Sequence, residues 1–132
     1  MNLLGLREPE IYGHDTLDDI AGMLEDRGQE LGLEVEVRQS NHEGHLIDWM
    51  HEAHAEGAKA IIMNAGAYTH TSIALYDAAK SIKVPVIEVH LSDPMKREEF
   101  RHISYIGMAA VKEFKGLGPK GYILALEHAA SL

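Results

Sequence analysis

A chain of 132 residues and 14.6 kDa, with 45% apolar and 25% charged residues, has the length and balance of one soluble globular domain. It contains no cysteine, which excludes disulfides, thiolate metal sites and cysteine nucleophiles; no apolar run nears the ~20 residues of a membrane helix, no secretory leader pattern opens the chain, and a cytoplasmic location is expected. Twelve basic residues against 21 acidic ones leave a net charge of −9, and the scattered lysines form no basic face for nucleic acid, so an anionic ligand would need a local arginine cluster.

Strand and helix signals then alternate along the chain. Gly5, Pro9 and Gly13 punctuate an opening loop. Thr16 suits a helix N-cap, with Asp18 and Asp19 in the first turn, where the helix dipole favours anions. Leu17, Ile20, Ala21, Leu24 and Leu31 fall near helical spacing, and Gly32 ends that helix. Residues 33–38 (LEVEVR) alternate like a half-buried strand. Ser40 and Glu43 have the spacing of a capping box before a second helix with Leu46, Ile47, Met50 and Ala53 inward. Residues 60–63 (AIIM) form a short apolar run, the pattern of a strand buried on both faces.

A polar loop, residues 64–72, leads to a third helix through Ile73, Tyr76 and Ala79, and residues 84–89 (VPVIEV) form the next buried strand. After a long polar segment, a further strand is expected near residues 111–114. Pro119 suits the first turn of a last helix with Ile123, Leu126 and Ala130 inward. Strands separated by single helices run parallel with helices on both faces, so the pattern predicts a flavodoxin-like doubly wound α/β domain. Such a sheet should begin with a strand, whereas this sequence opens in a βα loop.

Ligands of open α/β sheets bind beyond the carboxyl ends of the strands. Three segments with unusual polar residues meet that edge: the opening loop with Arg7 and Tyr12, NAGAYTHTS with Asn64 and His70, and EVHLS with Glu88, His90 and Ser92. Strand alternation puts Glu88 and His90 on one face, where a carboxylate fixes the imidazole tautomer and favours its protonated form, as a general acid requires. Arg97 and Arg101 are four apart; on a helical turn they would share a face and could clamp a carboxylate. A guanidinium within ~4–6 Å lowers an acid's pKa by ~1–3, which would bring a phenol such as Tyr12 down from ~10 toward usable base strength. Each residue has a plainer reading: a packed loop tyrosine, hydrogen-bonding histidines, and arginines paired with Glu98 and Glu99 on a solvated face.

Gly116, Gly118 and Gly121 fit G-x-G-x-x-G, but no strand follows to supply the acidic ribose ligand, so they read as the last strand-to-helix turn. His42, His45, His51 and His54 lack a metal-site spacing and read as surface residues.

At NLLGLREPEIYG, RQSNHEGHLIDWMHEA, NAGAYTHTSIALYDA, VPVIEVHLS, REEFRHISYI and GLGPKGYILAL, the sequence resembles the type II 3-dehydroquinate dehydratases nearly end to end, in order and spacing. The resemblance implies anti elimination of water from 3-dehydroquinate to give 3-dehydroshikimate through an enolate, with no metal or cofactor, in aromatic amino-acid biosynthesis or quinate breakdown. It implies Tyr12 as the base that removes the C2 proton, Arg7 as the cation that keeps it ionised, and His90 as the acid for the departing C1 hydroxyl, oriented by Glu88. It implies Asn64, His70, Leu91 (through its backbone), Ser92 and Arg101 as substrate-binding residues, Asp77 as a contribution to a neighbouring subunit, and Arg97 as a residue near the lid. The assembly implied is a dodecamer built from trimers.

Three features depart from the family pattern. The family opens with a central strand ending in Asn-Gly-Pro-Asn, and this sequence starts beyond it, so a sheet without its first, central strand is expected. The stretch Asp93-Pro94-Met95-Lys96 replaces an asparagine and a histidine-alanine pair, and Lys112, Glu113 and Lys115 stand where the last strand is usually apolar. The alternative reading is a catalytically impaired relative that binds the ligand or acts as a scaffold.

Overall fold

Thr16 opens the first helix as its spacing predicts. The structure, a computed structural model, describes residues 15–132. The expected opening loop, with Arg7 and Tyr12, lies outside the described residues. Helix α1 (Leu17–Leu31) carries a full capping box: the Thr16 side chain accepts from the Asp19 amide at 3.1 Å, and Asp19 accepts from the Thr16 amide at 2.9 Å. Gly32, in the left-handed region at φ 73°, closes the helix.

Helix α2 (Glu43–Glu56) begins without the predicted capping box. His42 is the N-cap and makes no side-chain cap; Ser40 Oγ instead accepts from the His42 amide at 3.0 Å and lies 2.9 Å from His45 Nδ1. The hydroxyl already has local partners, so it is not available to an amide three residues on.

Strands β1 (Ile61–Met63), β2 (Val86–His90) and β3 (Lys112–Lys115) form a parallel sheet in the order β1-β2-β3. Met63 pairs with Glu88, and His90 with Lys115, so the strands end together at one edge. Helix α3 (Ile73–Ser81) joins β1 to β2, and α4 (Lys120–Ala130) follows β3. On one face of the sheet Ile87 and Val89 pack with Ile20 and Leu24 of α1 and with Ala125, Leu126 and Ala129 of α4. On the other, Met63 and Val86 pack with Met50 of α2 and with Leu75, Ala78 and Ala79 of α3. These three layers are the predicted doubly wound α/β arrangement.

Local expectations differ in instructive ways. Residues 33–38 alternate as predicted, with Leu33, Val35 and Val37 packed on the α1–α4 side and Glu34, Glu36 and Arg38 exposed, yet they join no ladder among the described residues. Alternation records one-sided burial, whereas a strand also needs a neighbour at ~4.8 Å. Buried Gly28 makes the approach of this segment possible, because a Cβ there would lie 2.5 Å from Val35 Cγ2. The AIIM strand is only half-buried at Ile61 and Ile62, since β1 is hydrogen-bonded on one side alone among the described residues. In α3 the Ser72 cap turns the buried stripe to Leu75, Ala78 and Ala79 and leaves Ile73 57% exposed. Lys112 and Glu113 are exposed on β3, an edge strand among the described residues, where their charges oppose further pairing.

Candidate active site

Loops from β1 and β2 and the N-terminus of α4 meet at the carboxyl edge of the sheet. Strand β2 is buried throughout; its odd-numbered residues feed the apolar α1–α4 layer, so Glu88 and His90 share the opposite face. Glu88 is fully buried and His90 is 6% exposed. His90 Nε2 donates to Glu88 Oε2 at 2.7 Å. Burial pushes the Glu88 carboxyl up, but hydrogen bonds from His90 and Ser104 and the charges of His90 and Lys115 outweigh it, so the group titrates below its ordinary value. An ionised carboxylate only accepts, so Nε2 carries a proton in either state of the ring and Nδ1 is the nitrogen that can give one up.

Asn64 follows β1 directly. Its Oδ1 accepts from the Gly66 amide at 3.0 Å, and its Nδ2 donates to the Tyr122 hydroxyl at 3.0 Å. Gly66 takes φ 58°, a left-handed turn that brings its amide back to Asn64. Tyr122 is buried on α4, and desolvation raises its phenol to about 12 against the opposing Asn64 hydrogen bond, so it stays neutral and fixes the amide. His70 ends the short helical turn Gly66–His70; its Nδ1 donates to the Ile103 carbonyl at 2.7 Å, and its ring stacks 6.5 Å from that of His90.

Beyond β2, Leu91 is buried and its carbonyl accepts from the Gly118 amide at 3.0 Å, while the Ser92 carbonyl accepts from the Gly116 amide at 3.2 Å. Gly116 and Gly118, at φ 72° and 60°, make the strand-to-helix turn that the sequence predicts, and they tie it to the end of β2. Asp93 caps a one-turn helix, Pro94–Lys96, by accepting from the Met95 amide.

The predicted arginine pair is corrected here. Arg97 follows that turn, and Arg101 ends a separate one, Glu99–Arg101, so no common helical face aligns them. Arg97 Nη1 reaches Ser92 Oγ at 3.5 Å, and Arg101 pairs with Glu98 and covers the Phe100 ring. The extended backbone at Arg97, followed by Glu98 at ψ 146°, breaks the helical register between them. Asp77 is exposed on α3 and no hydrogen bond or ion pair joins its carboxylate to this cluster among the described residues. His42, His45, His51 and His54 are exposed, as expected. Among the described residues no helix is long and apolar enough to cross a membrane.

Two contacts were not legible in the sequence. Tyr122 reaches Asn64 across 58 residues, and Ser104 donates to Glu88 across 16. A buried tyrosine at the start of a helix that faces a sheet edge is the only local signal for the first. Replacing Tyr122 with phenylalanine should raise KM by about 2–10-fold, the worth of one neutral hydrogen bond, with kcat nearly unchanged; steady-state kinetics check this.

A family model described as "Dehydroquinase class II" matches residues 1–130. A 3-dehydroquinate dehydratase of Variovorax paradoxus is 57% identical over 130 residues, covering 96% of this chain and 89% of that protein. One of Caulobacter vibrioides is 54% identical over 132 residues, covering all of this chain and 90% of that protein. The crystal structure of a type II dehydroquinase from Propionibacterium acnes superposes with a TM-score of 0.95 at 44% identity, covering 99% of this chain and 90% of that one.

Proposed function

The chain belongs to the class II dehydroquinase family and dehydrates 3-dehydroquinate, and on that premise we propose how its side chains carry out the reaction. Tyr12, held as phenolate by Arg7, removes the C2 proton, and the electron pair passes into an enolate. His90 Nδ1 donates its proton to the C1 hydroxyl on the opposite side, and that oxygen leaves as water when the enolate collapses to 3-dehydroshikimate. Glu88 holds the His90 ring. Asn64, His70, the Leu91 backbone, Ser92 and Arg101 bind the substrate's hydroxyls and carboxylate, and Arg97 lies at the lid. The chemistry is assigned to protein groups alone, with no cofactor.

The observation that carries this reading is the buried Glu88–His90 pair at the carboxyl edge of the sheet, with the Asn64 and His70 loop against it. The Arg101–Glu98 ion pair is an exposed-side contact of small worth, so a substrate carboxylate can compete for the guanidinium.

Assembly is part of the proposal. Ile73, Phe100, Ile103, Met108 and Val111 are large apolar side chains left more than half exposed. Their number supports an oligomeric interface, and we place the chain in a dodecamer built from trimers in which exposed Asp77 reaches a neighbouring site. A chain without cysteine fits the cytoplasm. The test is the appearance of the conjugated enone when protein meets 3-dehydroquinate. Steady absorbance growth is expected; binding without turnover would favour the scaffold reading instead.

A further inference from the structure

Glu88 is oriented from a second direction that the reaction scheme does not use. Ser104 Oγ donates to Glu88 Oε2, the same oxygen that accepts from His90 Nε2. The Ser104 oxygen in turn accepts from the Gly107 amide at 2.9 Å. The other carboxylate oxygen, Oε1, is buried and has no hydrogen-bond partner among the described residues. It faces Gly107, where a Cβ would lie 2.7 Å from Glu88 Oε1 and 2.7 Å from Ser104 Oγ. The segment that carries both residues is fastened to the His70 loop, because the Tyr105 amide donates to the Thr69 carbonyl at 2.9 Å and the Ile103 carbonyl accepts from His70.

We propose that Ser104, set by the Gly107 amide, is a positioning residue for the Glu88–His90 pair, and that Gly107 leaves the space this arrangement needs. The proposal rests on His90 acting as the acid. Among the described residues both donors converge on Oε2, so the carboxylate's plane is fixed by two directions at once. Loss of the serine hydroxyl leaves His90 as the only hydrogen-bond donor to a fully buried carboxylate among the described residues. The ring then loses its fixed orientation, and substrate contacts made elsewhere are unaffected.

Among the described residues the charges around the pair are few. His70 stacks on His90; on β3, Glu113 and Lys115 pair in register with Glu88 and His90 and form their own 3.1 Å ion pair. The packing cluster on this face, with Met50, Leu75 and Ile106, is uncharged. Ser104→Ala changes none of these groups, so a change in Glu88 titration reports the lost donor.

The experiment compares the whole protein with Ser104→Ala and Gly107→Ala, following kcat, KM and pH profile on 3-dehydroquinate and the Glu88 carboxyl signal by carbon NMR. The expected result for Ser104→Ala is a loss of kcat of about 10-fold with KM within about 2-fold. The Glu88 midpoint and the acid limb of kcat should both move to higher pH, because removing a donor to the ionised form disfavours it. Gly107→Ala should shift both in the same direction. An unchanged kcat, or a Glu88 midpoint that stays in place, overturns the proposal. A parent protein without turnover, in which Ser104→Ala still moves the midpoint, overturns instead the reading of His90 as the acid.

Discussion

Replacing His90 with glutamine is expected to lower kcat by about 10²–10⁴-fold while leaving KM within a few-fold, the usual contribution of one general acid. Glutamine is the informative choice. Glu88 is fully buried, and a small apolar replacement would strand its charge at a cost of about 3–5 kcal/mol, which mixes folding with catalysis. A glutamine amide keeps an N–H for Glu88 Oε2 but carries no proton to give up. Steady-state kinetics with a thermal melt on the same sample separate the effects. A variant of ordinary stability and ordinary kcat would remove His90 from the acid role.

The second large effect is expected at Tyr12, whose replacement by phenylalanine should reduce kcat by about 10²–10⁴-fold. The phenol differs from phenylalanine by the oxygen that takes the C2 proton, so the loss should fall on the transition state and not on binding. Calorimetric titration with 3-dehydroquinate should return a dissociation constant close to that of the parent, while enone formation nearly stops. Equal losses in binding and turnover would instead make Tyr12 a substrate-holding residue.

How far these roles could be read from sequence depends on distance along the chain. Glu88 and His90 are two apart on a strand, so alternation alone unites them, and the 2.7 Å contact follows. The Thr16 N-cap and Gly32 were legible because caps are local chemistry. Ser40 fooled the same rule: His45 and the His42 amide compete for its hydroxyl, and spacing carries no record of competitors. Residues 33–38 show a related limit, because one-sided burial writes the same alternation whether or not a ladder forms. Arg97 and Arg101 invited a helical reading that the extended backbone at Arg97 and Glu98 breaks into two turns. Ser104 and Tyr122 were out of reach for another reason: their partners lie 16 and 58 residues away and are brought together only by the fold.

Diffraction from crystals soaked with an unreactive analogue of 3-dehydroquinate examines the acid–base assignment most directly. The Tyr12 oxygen is expected within ~2.6–3.2 Å of C2 and His90 Nδ1 at the C1 hydroxyl, on opposite sides of the carbocycle. A closed complex with both groups on one side, or with His90 turned away from that hydroxyl, would contradict it.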